Sequence, residues 1–166
     1  MILLNVLKSF LNMLLSTERD DMESYQEMKI RHQQEVNAFP IHFAFGDEQI
    51  KRKFAELGLD SEKDADKITV VPGTGGFILN KDVPGRKEMS ERHYRELQEA
   101  IAADKTGTGF IYQMFRYELA NYEFGYTGEA DDALAALGYT EAQIEADPAL
   151  KQGFEKAKQD IWNQDF

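Results

Sequence analysis

The chain has no cysteine, so neither a disulfide framework nor a thiolate metal site can form. That composition suits a reducing compartment. Histidine occurs only three times, a number that needs no metal to explain it. No nucleophile elbow, Cys–His pair or nucleotide-binding fingerprint is present. Basic residues are missing altogether between Arg116 and Lys151, where eight carboxylates fall. A phosphate backbone is bound through Lys and Arg, so direct nucleic-acid binding by this third of the chain is excluded on charge.

The net charge of -11 is therefore unevenly spread. Residues 1–117 carry 19 acids and 16 bases, whereas residues 118–166 carry 11 acids and only Lys151, Lys156 and Lys158. A carboxylate-rich surface of this kind steers basic partners toward it. At 166 residues and 42% apolar content, the chain has the material for one globular domain.

Long apolar runs are also lacking. The opening MILLNVLKSFLNMLL is broken by Asn5, Lys8, Ser9 and Asn12 and is too short to span a bilayer. These polar positions share one side of a helix, so residues 1–21 are expected to form an amphipathic helical extension. Such a helix docks on the body or on a second copy, giving a homo-oligomer. With one Lys near its apolar face, it is not expected to bind membrane.

Residues 22–166 are expected to form a single α+β domain, mostly helical, with a small two- to three-stranded antiparallel sheet and an acidic helical C-terminal third. A polar helix over 23–38 carries a stripe of Tyr25, Met28, His32 and Val36 and ends before Pro40. IHFAF alternates, placing Ile41, Phe43 and Phe45 on one strand face and His42 on the other. A helix follows Gly46-Asp47 and stops at Gly58. KITVVPGTGGFILN reads as strands 68–71 and 77–80 around a glycine-rich turn, not as a phosphate-binding loop, because FIL rather than a helix follows the glycines.

A helix over 86–103 presents Met89, His93, Leu97, Ala100 and Ile101. GFIYQMFRYELANYEFGY (109–126) is apolar nearly all round and reads as the buried central helix, with Glu118 in its middle. Three short helices are expected to follow. One spans 129–137, and one spans 140–146 with Thr140 and Gln143 in capping-box spacing. The last opens at Pro148 and turns Leu150, Phe154, Ala157, Ile161 and Trp162 inward.

Several stretches together, NAFPIHFAFGDEQ, GTGGFI, ERHYREL, AIAADKTGTGFIYQMFRYELANYEFGYTG and LGYTEAQIEADPALKQGFEKA, resemble a family of small proteins of unknown function from gut-associated bacteria and their phages. The resemblance covers about residues 22–160. It implies a prokaryotic, phage-related setting inside the cell and transfers no activity.

Two chemistries compete for the remaining residues. His93 and Glu96 lie three apart on one helix face, and Glu118 on the next helix could complete a mononuclear metal site, with Glu99 as a substitute ligand. Their order is the reverse of the Glu-x-x-His of di-metal bundles, and no second copy occurs. Glu118 alone reads as a structural carboxylate paired with Arg116, Arg92 or Arg95, or with a hydroxyl of Tyr112, Tyr122 or Tyr126. The sequence therefore points to a cytoplasmic acidic interaction module or inhibitor, with no cofactor and no catalytic residues. Its partner-binding residues are Glu129, Asp131, Asp132, Tyr139, Glu141, Glu145 and Asp147. They are expected to engage the basic, nucleic-acid-binding surface of a protein, with Phe124, Tyr126 or Tyr139 supplying hot spots if exposed.

Overall fold

The computed structural model describes residues 23–163. The expected extension over 1–21, and with it the self-association assigned to that helix, lies outside the described residues. The chain is α+β and mostly helical, with a three-stranded antiparallel sheet. Its contacts group into two compact units, one of residues 30–103 and one that takes in residues up to Lys29 and from Asp104 onward.

Helix α1 (Tyr25–Ala38) opens with Ser24, whose backbone N–H and hydroxyl both donate to Glu27. In the unit of residues 30–103, β1 (His42–Phe43), β2 (Ile68–Val71) and β3 (Gly76–Leu79) form the sheet in the order β1-β3-β2. The β2–β3 hairpin pairs Ile68 with Leu79 and Val71 with Gly76, as the alternation around the glycine-rich turn predicts. Gly73 and Gly75 take the positive φ that this turn demands. Gly76 faces Phe43 across β1–β3, and a Cβ there would lie 2.7 Å from Ile41 and 2.9 Å from Phe43.

Helix α2 (Asp47–Glu56) buries Phe54, whose ring lies 5.7 Å from that of Phe77. Helix α3 (Val83–Ala103) starts three residues earlier than its apolar stripe suggests, because Pro84 fits a first helical turn. β1 is only two residues long, and Phe43 and Phe45 are exposed. Alternation marks a strand but not which face is covered; the covered side chain is Phe77, against which the His42 ring packs.

The other unit is built on α4 (Phe110–Asn121), which buries Phe110, Ile111, Met114, Phe115, Glu118 and Leu119 along one face. The expected helix to residue 126 is broken at Glu123, a left-handed residue with φ 55°, after which α5 (Phe124–Thr127) runs for one turn. Helices α6 (Asp131–Leu137), α7 (Glu141–Ala146) and α8 (Pro148–Trp162) follow. α8 packs along α4, with Leu150, Phe154, Ala157 and Ile161 buried and Phe154 edge-on to Phe115. Trp162 is the exception to the predicted inward set. It stands 41% exposed, one face against Phe124.

The turn that launches α4 is organised by Asp104. Its carboxylate accepts from the N–H groups of Gly107, Gly109 and Ile111, each at 3.0 Å, and from the Thr106 hydroxyl at 3.1 Å. DKTGTG therefore has the glycines and helix N-terminus of an anion loop, but its own aspartate fills the donors that an anion would use.

Candidate functional site

The acidic residues singled out from the sequence fall where short helices begin. Asp131 and Asp132 occupy the first turn of α6, and Glu141 the first turn of α7, where a negative charge complements the helix dipole. Thr140 and Gln143 form the predicted capping box of α7. Asp147 caps α8, accepting from Ala149 N–H at 2.8 Å and Leu150 N–H at 3.1 Å. Glu145 is bound by Lys151 at 2.6 Å. Part of the acid enrichment is thus helix-start chemistry, which the sequence already carries in its caps. All six carboxylates, including Glu129, remain exposed.

Among the aromatics tied to this surface, Phe124 is buried and Tyr139 half-buried, its ring 6.4 Å from Phe115. Tyr126 is different, at 91% exposed. Tyr122, 42% exposed, precedes it by four residues, and Trp162 lies against Gly128 just beyond it. Glu123 and Glu129, both exposed, flank Tyr126 three residues to either side.

Glu118 is structural, but its partners are not those the sequence nominated. It is 3% exposed, accepts from the Tyr25 hydroxyl at 2.5 Å and pairs with Lys29 Nζ at 2.9 Å. Burial, and then the bond to Glu118, push the Tyr25 phenol far above its usual range. The neutral phenol therefore contributes stability that is complete below about pH 10 and is lost as pH rises above it. Tyr25 and Lys29 are one helical turn apart on α1, so a single face clamps the carboxylate. That pairing spans about ninety positions of sequence and leaves no local signal. Glu118→Ala is expected to cost about 3 kcal/mol in thermal or urea unfolding, because Tyr25 then keeps a buried hydroxyl without an acceptor. Glu118→Gln, which retains an acceptor, is expected to cost about half as much.

The proposed metal trio is not assembled. His93 Nε2 binds Glu35 at 2.9 Å, Glu96 binds His32 Nε2 at 2.7 Å, and Glu118 is held by Tyr25 and Lys29. Glu99 stands exposed. Among the described residues no group of three His, Asp or Glu side chains is placed to hold a metal ion.

In the unit of residues 30–103, the two imidazoles stack at 3.8 Å with an interplanar angle of 10°. Arg92 pairs with Glu35 and, at 3.1 Å, with Glu96; Arg31 reaches Glu96 at 2.9 Å and Glu35 at 3.5 Å. Two carboxylates and two guanidiniums thus alternate around the ring pair. The Arg92 hydrogen bond, then His93, holds Glu35 down at about 2. The His32 hydrogen bond, then Arg31 and Arg92, holds Glu96 down at about 2. Depressed carboxylates stabilise the fold above their unfolded values near 4.5, and that contribution disappears as pH falls toward 2. Acid titration of wild type should therefore show stability falling between about pH 4.5 and 2, and the Glu35→Gln/Glu96→Gln double variant should show a flatter profile there. An identical acid profile in the two proteins would remove this cluster from the pH response. Sequence reasoning placed His32 and His93 on core-facing stripes but had no means of pairing them.

The sequence pattern of one protein family, described as a family of unknown function (DUF7659), matches residues 24–160. No curated protein and no solved structure matches the chain. No helix among the described residues is long and apolar enough to cross a membrane.

Proposed function

The chain belongs to DUF7659, a family of unknown function, and on its own chemistry we propose that it is a cytoplasmic, prokaryotic or phage-encoded interaction module that acts by protein–protein contact. Its partner is a protein with a basic, nucleic-acid-binding surface, which it occupies as an inhibitor would.

The exposure of Tyr126 between Glu123 and Glu129 carries this reading. A tyrosine that is 91% exposed gains nothing for the fold from its ring. Tyrosine and tryptophan beside charge complementarity are the groups from which interface hot spots are built. Tyr122 and Trp162 extend the aromatic surface, and Glu129, Asp131, Asp132, Glu141, Glu145 and Asp147, with the half-buried Tyr139, supply its charged continuation. A phosphate-binding surface on a partner meets carboxylates as it meets phosphates, and its lysines and arginines would also stack on the exposed rings.

Charge reversal tests the reading. Lysine at Asp131, Asp132, Glu141 and Glu145 together is expected to weaken partner binding by about two orders of magnitude, mostly through slower association. Circular dichroism controls for loss of the helix-start charges, and the neutral Asn/Gln set is expected to give an intermediate loss. Unchanged binding in the reversed variant would sink the proposal.

A further inference from the structure

The two outer strands of the sheet differ in how their edges are protected. β1, at one edge, is two residues long and follows Pro40 closely, so it offers little backbone for another chain to pair with. β2, at the other edge, is four residues long and pairs with β3. Alternate residues of an edge strand turn their N–H and C=O groups outward, and among the described residues no strand pairs with the outer side of β2.

Edge strands are ordinarily blunted by an internal Lys or Pro, by a bulge or by a covering element. The ITVV of β2 contains neither Lys nor Pro, and its register with β3 runs without a bulge from Ile68–Leu79 to Val71–Gly76. Thr69 and Val70 are exposed, Val70 at 66%, although their cross-strand partners Ile78 and Phe77 are buried. β3 is thus the covered strand of the sheet and β2 its open flank. Both ends of β2 are pinned. The Thr69 hydroxyl donates to Asn80 Oδ1 at 2.7 Å, and the Asn80 amide donates to the Asp66 carbonyl at 2.6 Å. The Val71 carbonyl accepts from the Thr74 hydroxyl at 2.9 Å and from the Thr74 N–H at 3.3 Å. An edge fixed beforehand lowers the ordering cost of pairing.

The two ends of the edge differ in charge. DSEKDADK (60–67), which leads directly into β2, carries four carboxylates and two lysines. Asp64 holds Lys67 at 2.9 Å and Asp60 holds Lys63 at 3.6 Å, while Glu62 and Asp66 add two exposed carboxylates. The far end runs into Pro72-Gly73 and carries no charge. A strand laid along this edge therefore meets negative charge at one end only, which sets both its direction and the sign of its flanking residues.

We infer that the β2 edge docks an extended segment of a partner protein, added as a fourth strand antiparallel to β2, as both existing ladders are antiparallel. Ile68 and Val70 share one face of the sheet, and β-branched or aromatic residues at alternate positions of the segment sit opposite them. An antiparallel strand ends where β2 begins, so a Lys or Arg at the C-terminal end of the segment meets Glu62 and Asp66. The edge lies in the unit of residues 30–103 and uses no residue of the Tyr126 surface, so the two readings stand or fall separately.

The test is an NMR titration of the full, isotope-labelled chain with three acetylated heptapeptides, in which Thr-Val, Thr-Ile or Ser-Tyr is repeated once and followed by Ser-Lys-Lys. The expected result is saturation by at least one of them with a Kd below about 2 mM and the largest shifts at the amides of residues 68–71. The same peptide ending in Ser-Glu-Glu is expected to bind about tenfold more weakly, and the Glu62→Lys/Asp66→Lys variant to bind the lysine peptide about fivefold more weakly. Val70→Lys puts the charge of a protected edge at an exposed position. It is expected to melt as wild type and to weaken binding about tenfold. Failure of all three peptides to saturate by about 10 mM, shifts centred elsewhere, or binding indifferent to both variants would overturn the inference. So would self-association of the peptide-free chain that moves the same amides, because the edge would then belong to a second copy.

Discussion

Asp104→Ala is expected to destabilise the α4–α8 unit by about 4 kcal/mol and to lower its melting temperature by about 10 °C. The carboxylate is the common acceptor for three backbone N–H groups and one hydroxyl, and two of those N–H groups, on Gly107 and Ile111, belong to buried residues. Alanine leaves them without a partner and without water, and a buried unsatisfied donor costs about 1–3 kcal/mol. Asp104→Asn separates charge from shape. One of its terminal atoms becomes a donor facing donors, so a loss between wild type and alanine is expected. Urea unfolding of the three proteins measures this, and an alanine variant within about 0.5 kcal/mol of wild type would show that the turn forms without its aspartate.

Gly107→Ala carries the second large effect. Gly107 has φ +71°, a conformation that costs an L-residue about 1–2 kcal/mol. An added Cβ would also overlap the Ala149 carbonyl of α8, which is helix backbone and has little room to move. Overpacking of this kind adds about 1–3 kcal/mol, for an expected total near 4 kcal/mol. Gly153→Ala approaches the same contact from α8, where a Cβ would meet Gly107 O and Ile111 Cγ2, each at 2.6 Å. There the overlap is opposed by the gain of about 1 kcal/mol that alanine brings inside a helix, so a smaller net loss of about 2 kcal/mol is expected. The double variant should cost less than the sum, because both residues guard one approach. A Gly153→Ala protein more stable than wild type would mean that α4 and α8 can separate slightly without penalty.

Local chemistry was legible where it is written into adjacent residues. The Thr140–Gln143 box, Pro148 at the start of the last helix and the glycine-rich hairpin each follow from residues within a few positions, and each is present. The central position of α4 was legible from its density of apolar side chains. The long-range partners were not. Glu118 is satisfied by Tyr25 and Lys29, and His93 by Glu35, across helices that only tertiary packing brings together. Phe43 and Phe45 show the converse limit, since a period of two shows that a strand has two faces without saying which is covered. Asp104 carries its own local signal, an aspartate followed by two Thr-Gly pairs just before a helix, which is an Asx-type turn in the making. The break at Glu123 left none.

For the interaction surface, the carboxylates that cap helices are explained by the fold, whereas Tyr126 is not. The most direct measurement is therefore a paired capture from bacterial lysate with immobilised wild type and immobilised Tyr126→Ala, eluted in rising salt and read by mass spectrometry. A basic, nucleic-acid-binding protein retained by wild type, released as salt screens the carboxylates and depleted at least about tenfold on Tyr126→Ala, is the result expected. Equal recovery on the two proteins, or retention indifferent to salt, would contradict the assignment of this surface.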